Sequence, residues 1–507
     1  MSNRSTGLSK SKLMSFAQCP KRLFLETYHP ELGEVSVLTQ TAFDTGHQVG
    51  ELAIELYGGS EGRFVSNDEG LEVALEQTRE YMANEPRVPL FEATFEFDGV
   101  LVRVDVLLPV KDGWRIVEVK SSTNVKPPHV MDCAVQAWVF QRLGHSLQGI
   151  ALAHIDNTFV YAAAGNYEGI LREADLTDKI KDCLDEVPDL IEAARLTLQR
   201  EASPLVDVGA HCSRPYKCEF TNYCWPKDTE HPIQGFRGSK KKLGQWIATG
   251  YRDIIEVPED ELLSPTQQRI RRVTEEGQYE LLPGAAEFVV NLGYPRYYLD
   301  FETVSPAIPI WVGTRPYQTL AVQWSCHIED QSGTTTHVEF LDLVTQPPMR
   351  ELAERLIQAL GTSGPVLMYT DYERTAIKNL IDLFPELAEP LQDIINRLVD
   401  LAPVARVNYY HPDMMGSWSI KSVIPTIDSN LDYALLEGIN QGLAASDGYL
   451  EAIATATTPA RRDELDVQLR TYCSLDTEAM VALVQFFISG QRTDENPASH
   501  HPVTIES

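Results

Sequence analysis

The sequence predicts an α/β protein of more than one domain, and three observations carry that prediction. A chain of 507 residues is long enough for two or three domains. Its first part orders its patterns as helix, three strands, helix. Its later part opens on strands and then alternates them with helices, as a mixed sheet requires. A hydrophobic content of 43% is that of a globular chain, so each domain has the residues for a core.

Residues 40–57 predict a helix, because Phe43, Val49, Leu52, Ala53 and Leu56 fall at helical spacing. Residues 90–97 and 100–110 alternate as strands, and Lys111, Asp112 and Gly113 form a turn into a third strand at 115–120. A helix follows at 131–143. Further on, strands are expected at 297–302, 320–328 and 335–343. A helix at 350–360, a buried strand at 365–369 and a helix at 373–383 come next. A long amphipathic helix at 465–489 closes the pattern. The domains are expected at 1–228 and 291–490. A connector rich in charge, Pro and Gly spans 229–290, and a polar tail spans 491–507.

A net charge of −30 argues against a surface coated for non-specific nucleic-acid binding. It is compatible with metal sites, which need carboxylates. A local basic stretch (Arg237, Lys240, Lys241, Lys242) flanked by Phe236 and Trp246, then Arg269, Arg271 and Arg272, is either a binding groove or a solvated linker. The polar start has no apolar leader and no apolar run reaches membrane length, so a cytoplasmic protein with no membrane partner is expected.

Eight cysteines are too few for a disulfide scaffold. Cys133, Cys183, Cys326 and Cys473 lie in apolar or helical contexts and read as buried thiols. The other four are arranged differently: Cys19 precedes Pro20 near the start, and Cys212, Cys218 and Cys224 follow far downstream with five residues in each gap. Thiolates from the two ends of one domain can hold an iron–sulfur cluster and staple the domain shut. Zinc is the rival metal, but its knuckles usually leave about two to four residues between cysteines.

Between these cysteines Asp105 ends one apolar strand run, and Glu118 and Lys120 lie on the next strand. Pairing of the strands brings the two carboxylates together. Lys120 shares a face with Glu118 by the two-residue period. Magnesium or manganese takes a few such oxygen ligands, and the ammonium can meet an attacking water or phosphate charge. Gly46-His47 lies on the preceding helix and Gln136 on the following one, with Phe140 four residues on; Glu92 is a further acid. With Ser11, Cys19 and Pro20, this set resembles the iron–sulfur nucleases of the RecB/AddB class and related CRISPR-adaptation exonucleases, over roughly 7–228. The resemblance implies a restriction-endonuclease-like PD-(D/E)XK domain with a [4Fe–4S] clamp. It implies His47, Asp105 and Glu118 as metal ligands, Lys120 as catalytic, and Gln136 in contact with substrate or Lys120. Phe140 stands where the family has Tyr, so the ring is kept and the hydroxyl is not.

In the second domain Asp300 and Glu302 lie two residues apart on a strand, where a divalent cation relieves their repulsion. Glu373, with Asp371 as runner-up, follows a buried strand, and Tyr472 and Asp476 share one helical face. This order resembles the DEDD-type 3′–5′ exonucleases of ribonuclease-H-like fold. The resemblance implies Asp300, Glu302, Glu373 and Asp476 as metal ligands and Tyr472 as the residue that orients water. Here Glu stands where the second motif has Asp. Asp400 is a further carboxylate, and Lys421 is suited to a phosphate. The whole chain also resembles an uncharacterised bacterial family in which an iron–sulfur nuclease domain precedes a domain opening Leu-Asp-Phe-Glu-Thr.

Together these readings lead to the expectation of a metal-dependent nuclease, exonuclease by preference, with two potential active sites, a [4Fe–4S] cluster and Mg2+ or Mn2+. Its expected partner is nucleic acid, DNA before RNA, with a helicase or a defence or repair protein as companion. The alternative is an iron–sulfur scaffold that binds nucleic acid while a partner does the cutting.

Overall fold

Alternating apolar residues from Leu90 onward build the first sheet of this computed structural model. The structure describes residues 7–262, 264–436, 438–493 and 504–505, the last pair and Leu38 by backbone alone. The chain is a mixed α/β protein, about 50% helix and 17% strand. It divides into two units. The first holds Met1–Pro226, Lys240–Gly244 and Pro306–Tyr317, and the second holds the rest. Among the described residues no helix is long and apolar enough to cross a membrane.

The first unit runs β1 (Leu8–Ser9), α1 (Lys10–Gln18), α2 (Pro20–Tyr28), α3 (Val37–Tyr57), β2 (Arg63–Phe64), α4 (Leu71–Ala83), β3 (Leu90–Phe97), β4 (Val100–Val110), β5 (Gly113–Lys120), α5 (Pro127–Arg142), β6 (Leu147–Ile155), β7 (Leu171–Asp175), α6 (Lys181–Leu198) and α7 (Thr221–Cys224). Its sheet has the order β2-β3-β4-β5-β6-β7, with β1 pairing with β4. Asp98 (φ 51°) and Gly99 (φ 67°) supply the left-handed pair that a two-residue hairpin between β3 and β4 requires. Helix α5 is the crossover between the parallel strands β5 and β6. It begins at Pro127, earlier than the expected 131, because Pro at the first helical turn starts a helix rather than breaking one. Its buried face (Cys133, Ala134, Ala137, Phe140) joins Leu13, Leu23, Phe95, Val104 and Ile116 in the main core. Ile54 and Tyr57 of α3 pack with Phe91, Val106 and Val117 in a separate cluster.

A twelve-residue strap, Pro306–Tyr317, belongs to this unit although it follows the first strand of the other unit's sheet. Its ends meet through Tyr317 N–H to the Pro306 carbonyl at 2.9 Å. Ala307, Ile308 and Tyr317 pack with Val49, Leu52, Ile155 and Ile170. Tyr161 N–H donates to the Thr314 carbonyl at 3.0 Å, Gly313 N–H donates back to Tyr161 at 2.8 Å, and the Tyr317 hydroxyl donates to the Ser121 carbonyl.

In the second unit come α8 (Lys240–Thr249, shared with the first unit), α9 (Pro265–Glu276), β8 (Glu280–Leu281), α10 (Gly284–Val290), β9 (Arg296–Val304), β10 (Leu320–Glu329), β11 (Thr335–Leu341), α11 (Met349–Leu360), β12 (Val366–Met368), α12 (Tyr372–Leu383), α13 (Ala388–Arg397), β13 (Leu398–Asp400), α14 (Leu401–Asn408), β14 (Tyr409–Tyr410), α15 (Ile420–Val423), α16 (Gly442–Ile453), α17 (Pro459–Ser489) and β15 (Thr504–Ile505). The main sheet has the order β13-β12-β9-β10-β11-β15. The central strand β9 runs antiparallel to β10 and parallel to β12. Helix α17 packs on β9 and β10, burying Leu465, Leu469, Tyr472, Cys473, Asp476 and Thr477.

The expected connector 229–290 is packed structure, and all of it but Lys240–Gly244 falls in the second unit. Phe236 and Trp246 are buried against each other, ring centroids 5.4 Å apart, and do not flank a groove. Arg269, Arg271 and Arg272 pair with Glu280, Glu275 and Glu276, so this cluster is largely neutralised by its own neighbours. Most of the expected tail 491–507 lies outside the described residues; Thr504–Ile505 pairs in parallel with β11.

Candidate functional site

In the first unit three acids line up across three strands. The β3–β4 ladder pairs Phe91 with Val106 and Ala93 with Val104, so Glu92 and Asp105 face one another in the gap. The β4–β5 ladder stops at Val106 and Val117, which leaves Asp105 and Glu118 as the next, unladdered pair. Glu92 holds φ 57°, a left-handed conformation that is rare within a strand and marks local backbone strain. The Asp105 carboxylate fills the interrupted ladder by accepting from Val119 N–H at 2.7 Å.

Glu118 is fully buried and both its oxygens are engaged. Oε1 accepts from Lys10 Nζ at 2.8 Å and from Lys120 Nζ at 2.5 Å, and Oε2 accepts from Gln136 Nε2 at 2.6 Å. Asp132, one turn before Gln136 on α5, meets Lys10 at 3.1 Å and Lys120 at 3.0 Å. Burial alone raises a carboxyl pKa, but Lys10 and Lys120 together hold Glu118 well below the ordinary range. Asp105 has no such partner at contact: burial, then the charge of Glu118, pushes it up to about 8. His47, expected as a metal ligand, stands exposed on α3 within electrostatic reach of Glu92. Burial raises Glu92, and Arg103 opposes that rise.

Lys10 and Asp132 are charged neighbours of Glu118 and Lys120 that the sequence reading did not single out. Asp132 had a signal, being an acid on the face of Gln136 at i, i+4 spacing. Lys10 lies 108 residues from Glu118 and had none. Removing the Lys10 charge while keeping its stem, as Lys10→Met, is expected to cost on the order of 3 kcal/mol at neutral pH, because it half-uncovers a buried carboxylate. Glu118 has its pKa depressed in the folded state, so this stabilisation is complete above its unfolded value of 4.5 and is lost only as pH falls from there through the folded value. Urea denaturation of both proteins at pH 7 and pH 3 reads the difference. No gap at pH 7 contradicts the assignment.

Cys19, Cys212, Cys218 and Cys224 line one pocket together with Lys21, Arg22 and His211. Cys19 is the junction of α1 and α2. Gln18 Nε2 beside it donates to the carbonyls of His211 (2.7 Å) and Tyr216 (2.8 Å), tying the start of the unit to the cysteine loop. Cys218 N–H donates to the Cys212 carbonyl at 3.0 Å, and Gly209 N–H donates to Cys212 Sγ at 3.4 Å. Burial pushes the Cys218 thiol up to about 11.

In the second unit a cavity of about 390 Å³ is lined by Asp300, Glu302, Thr303, Tyr372, Tyr472 and Asp476, among others. Asp300 and Glu302 come from β9, Asp476 and Tyr472 from α17, and Glu373 from the first turn of α12, where it shares a hydrogen bond with Asp300. Burial, then Asp476 and the neighbouring acids, drives Asp300 and Glu302 well above the carboxylate range. Burial likewise pushes Glu373 up to about 8 and Asp476 to about 6. Asp300, Glu302 and Glu373 so placed hold protons near neutral pH until a cation replaces them. Lys421 Nζ donates to the Tyr472 hydroxyl at 2.6 Å, and the Tyr433 hydroxyl donates to Asp476 at 2.5 Å.

The runner-up acids do other work. Asp371 is exposed and pairs with Arg374 at 2.6 Å. Asp400 caps α14, accepting from Ala402 N–H, and accepts from Thr370 N–H, each at 2.9 Å. Tyr433 carried no sequence signal. Cys473, read from sequence as an ordinary buried thiol, is indeed buried, but its Sγ lies 3.7 Å from Asp300 Oδ2.

A family described as "Domain of unknown function (DUF2779)" matches residues 297–419, a span that includes Asp300, Glu302 and Glu373. Over 272 residues the chain is 24% identical to "Uncharacterized protein UU173" of Ureaplasma parvum serovar 3, covering 49% of this chain and 38% of that protein. The chain therefore spans well under two thirds of that relative's length. The solved structure titled "Crystal structure of SSO0001" aligns over 40% of this chain and 80% of its own, at 14% identity and a TM-score of 0.22, too loose to carry a fold argument.

Proposed function

We propose that the chain is a metal-dependent nuclease, an exonuclease by preference, hydrolysing phosphodiester bonds of nucleic acid at two centres. On this reading the first unit is a restriction-endonuclease-like domain clamped by an iron–sulfur cluster, and the second is a ribonuclease-H-like exonuclease domain. The observation that carries the proposal is the convergence of Asp300, Glu302 and Asp476 on one cavity walled by Tyr472, with Glu373 hydrogen-bonded to Asp300. Buried acids at that density are costly without a cation. Magnesium or manganese held there supplies charge for a scissile phosphate and a more acidic water. The chain's own part is to hold that geometry. Lys421 fixes the Tyr472 hydroxyl, which is then aimed to orient a water, and Tyr433 fixes Asp476. In the first unit Glu118, Asp105 and Glu92 offer the oxygen row, and Lys120 carries the positive charge beside it.

The four-cysteine pocket suits an iron–sulfur cluster. All four candidate ligands are thiols. The preferred substrate is DNA before RNA, and the chain works in the cytoplasm beside a helicase or a defence or repair partner.

One observation favours a second reading for the first unit: both oxygens of Glu118 are already engaged by Lys10, Lys120 and Gln136. That unit then grips nucleic acid while the second unit, or a partner, cuts. Anaerobically purified protein incubated with end-labelled single- and double-stranded DNA and RNA tests the proposal. Cleavage dependent on Mg2+ or Mn2+ and stopped by chelator is expected. No cleavage of any of these substrates by cluster-loaded protein overturns it.

A further inference from the structure

We propose that the second centre is a mixed thiolate–carboxylate site, in which Cys473 joins Asp300 and Glu302 as a ligand and selects a divalent cation of the manganese-to-zinc series over magnesium. This rests on the metal site of the preceding reading, but not on what that site cleaves.

The donor atoms of Asp300, Glu302 and Cys473 all lie within 4.8 Å of one another, the one such three-donor group among the described residues. Cys473 follows Tyr472 and precedes Asp476 by three positions, so it sits on the face of α17 that packs on β9. It is 0% exposed, which removes it from ordinary thiol reactivity with solvent reagents. A second observation points the same way. Glu373, 2% exposed, reaches Asp300 with its carboxyl, yet its Oε2 has no hydrogen-bond partner. A buried carboxyl oxygen left unmatched on a residue hydrogen-bonded to one of the three gathered donors is what a cation would satisfy.

The ligand set decides the cation. Magnesium demands hard oxygens and keeps its waters. A thiolate among carboxylates favours softer first-row ions, with affinity rising from manganese towards zinc. As the cation binds, the Cys473 S–H proton leaves to solvent and a sulfur–metal bond replaces it. A serine at this position would have served magnesium equally well.

Cobalt(II) is the probe, because its sulfur-to-metal charge-transfer band reports thiolate ligation directly. Full-length protein with its cysteine clamp loaded is titrated anaerobically with Co2+ in excess Mg2+. One equivalent carrying the charge-transfer band is expected. In Cys473→Ser the band disappears and Co2+ affinity falls at least about tenfold, while Mg2+ affinity is unchanged or improved. Asp300→Asn, which leaves the thiol but weakens its neighbour, should also lose the band. A band that persists in either variant comes from elsewhere and overturns the proposal, as does a wild-type protein with no band. Should Cys473→Ser not fold, the difference spectrum between wild type and Asp300→Asn decides alone. No substrate is present, so an inactive protein can pass and an active nuclease can fail.

Discussion

Asp300→Ala is expected to lower cleavage by the second centre by about three orders of magnitude, since it removes a shared ligand that no neighbour can replace. The backbone of Asp300 sits on the central strand β9, paired with Ser325 across β10, so a shifted side chain cannot move in to compensate. The variant should nevertheless fold. In the metal-free protein Asp300 is a buried acid that burial and its acidic neighbours force to take up a proton on folding, and its loss relieves that cost. Its unfolding midpoint without metal should therefore be no lower than that of the wild type. Cleavage due to the first centre should persist in Asp300→Ala, and cleavage due to the second should persist in Lys120→Ala. The double variant should be folded and inactive. Single-turnover assays on defined oligonucleotides separate these cases. If Asp300→Ala keeps every activity and Lys120→Ala loses all of it, the second unit is a binding or structural module.

Cys218→Ser is the second change with a large expected effect. Cys218 is buried, and its charge environment includes both Cys19 and Cys212. A cluster at these cysteines ties together positions about two hundred residues apart in the chain. By analogy with a covalent cross-link, closing a loop of that length removes about 5 kcal/mol of unfolded-chain entropy. The variant should lose the broad visible absorbance of iron–sulfur protein. Its first unit should melt earlier, while the second unit's transition stays in place. Iron analysis and anaerobic calorimetry read both. Stoichiometric zinc without iron in the wild type would refute the cluster.

Much of the site was legible because its geometry is local. Asp105 and Glu118 flank one hairpin, and the two-residue period relates Glu118 to Lys120 and Asp300 to Glu302. The i, i+4 spacing likewise put Tyr472 and Asp476 on one face of α17. Partners brought in by tertiary packing were not legible. Lys10 reaches Glu118 from the first helix, and Tyr433 reaches Asp476 from a short turn; no periodicity connects either pair. Cys473 is buried as read, but its contact with Asp300 was not legible. A thiol in an apolar helix face looks the same whether it packs against a leucine or against an aspartate on the strand beneath. The choice between groove and linker stayed open in the sequence because Arg269, Arg271 and Arg272 have their glutamates a turn or two away, and a charge run alone does not reveal such pairing.

The strap at Pro306–Tyr317 sets a timetable for the chain's birth. As the polypeptide leaves the ribosome, the first unit stays incomplete at residue 226, since Val49, Leu52, Ile155 and Ile170 wait for Ala307 and the Tyr161 main chain waits for Gly313 and Thr314. By the time the strap is made, β9 with Asp300 and Glu302 has already emerged. The amino-terminal unit thus matures only after synthesis of its neighbour has begun, against the usual order in which domains close one after another. A gene cut at residue 290 would deliver a first unit with an uncovered apolar patch, whereas supplying the strap as a separate peptide should restore its solubility.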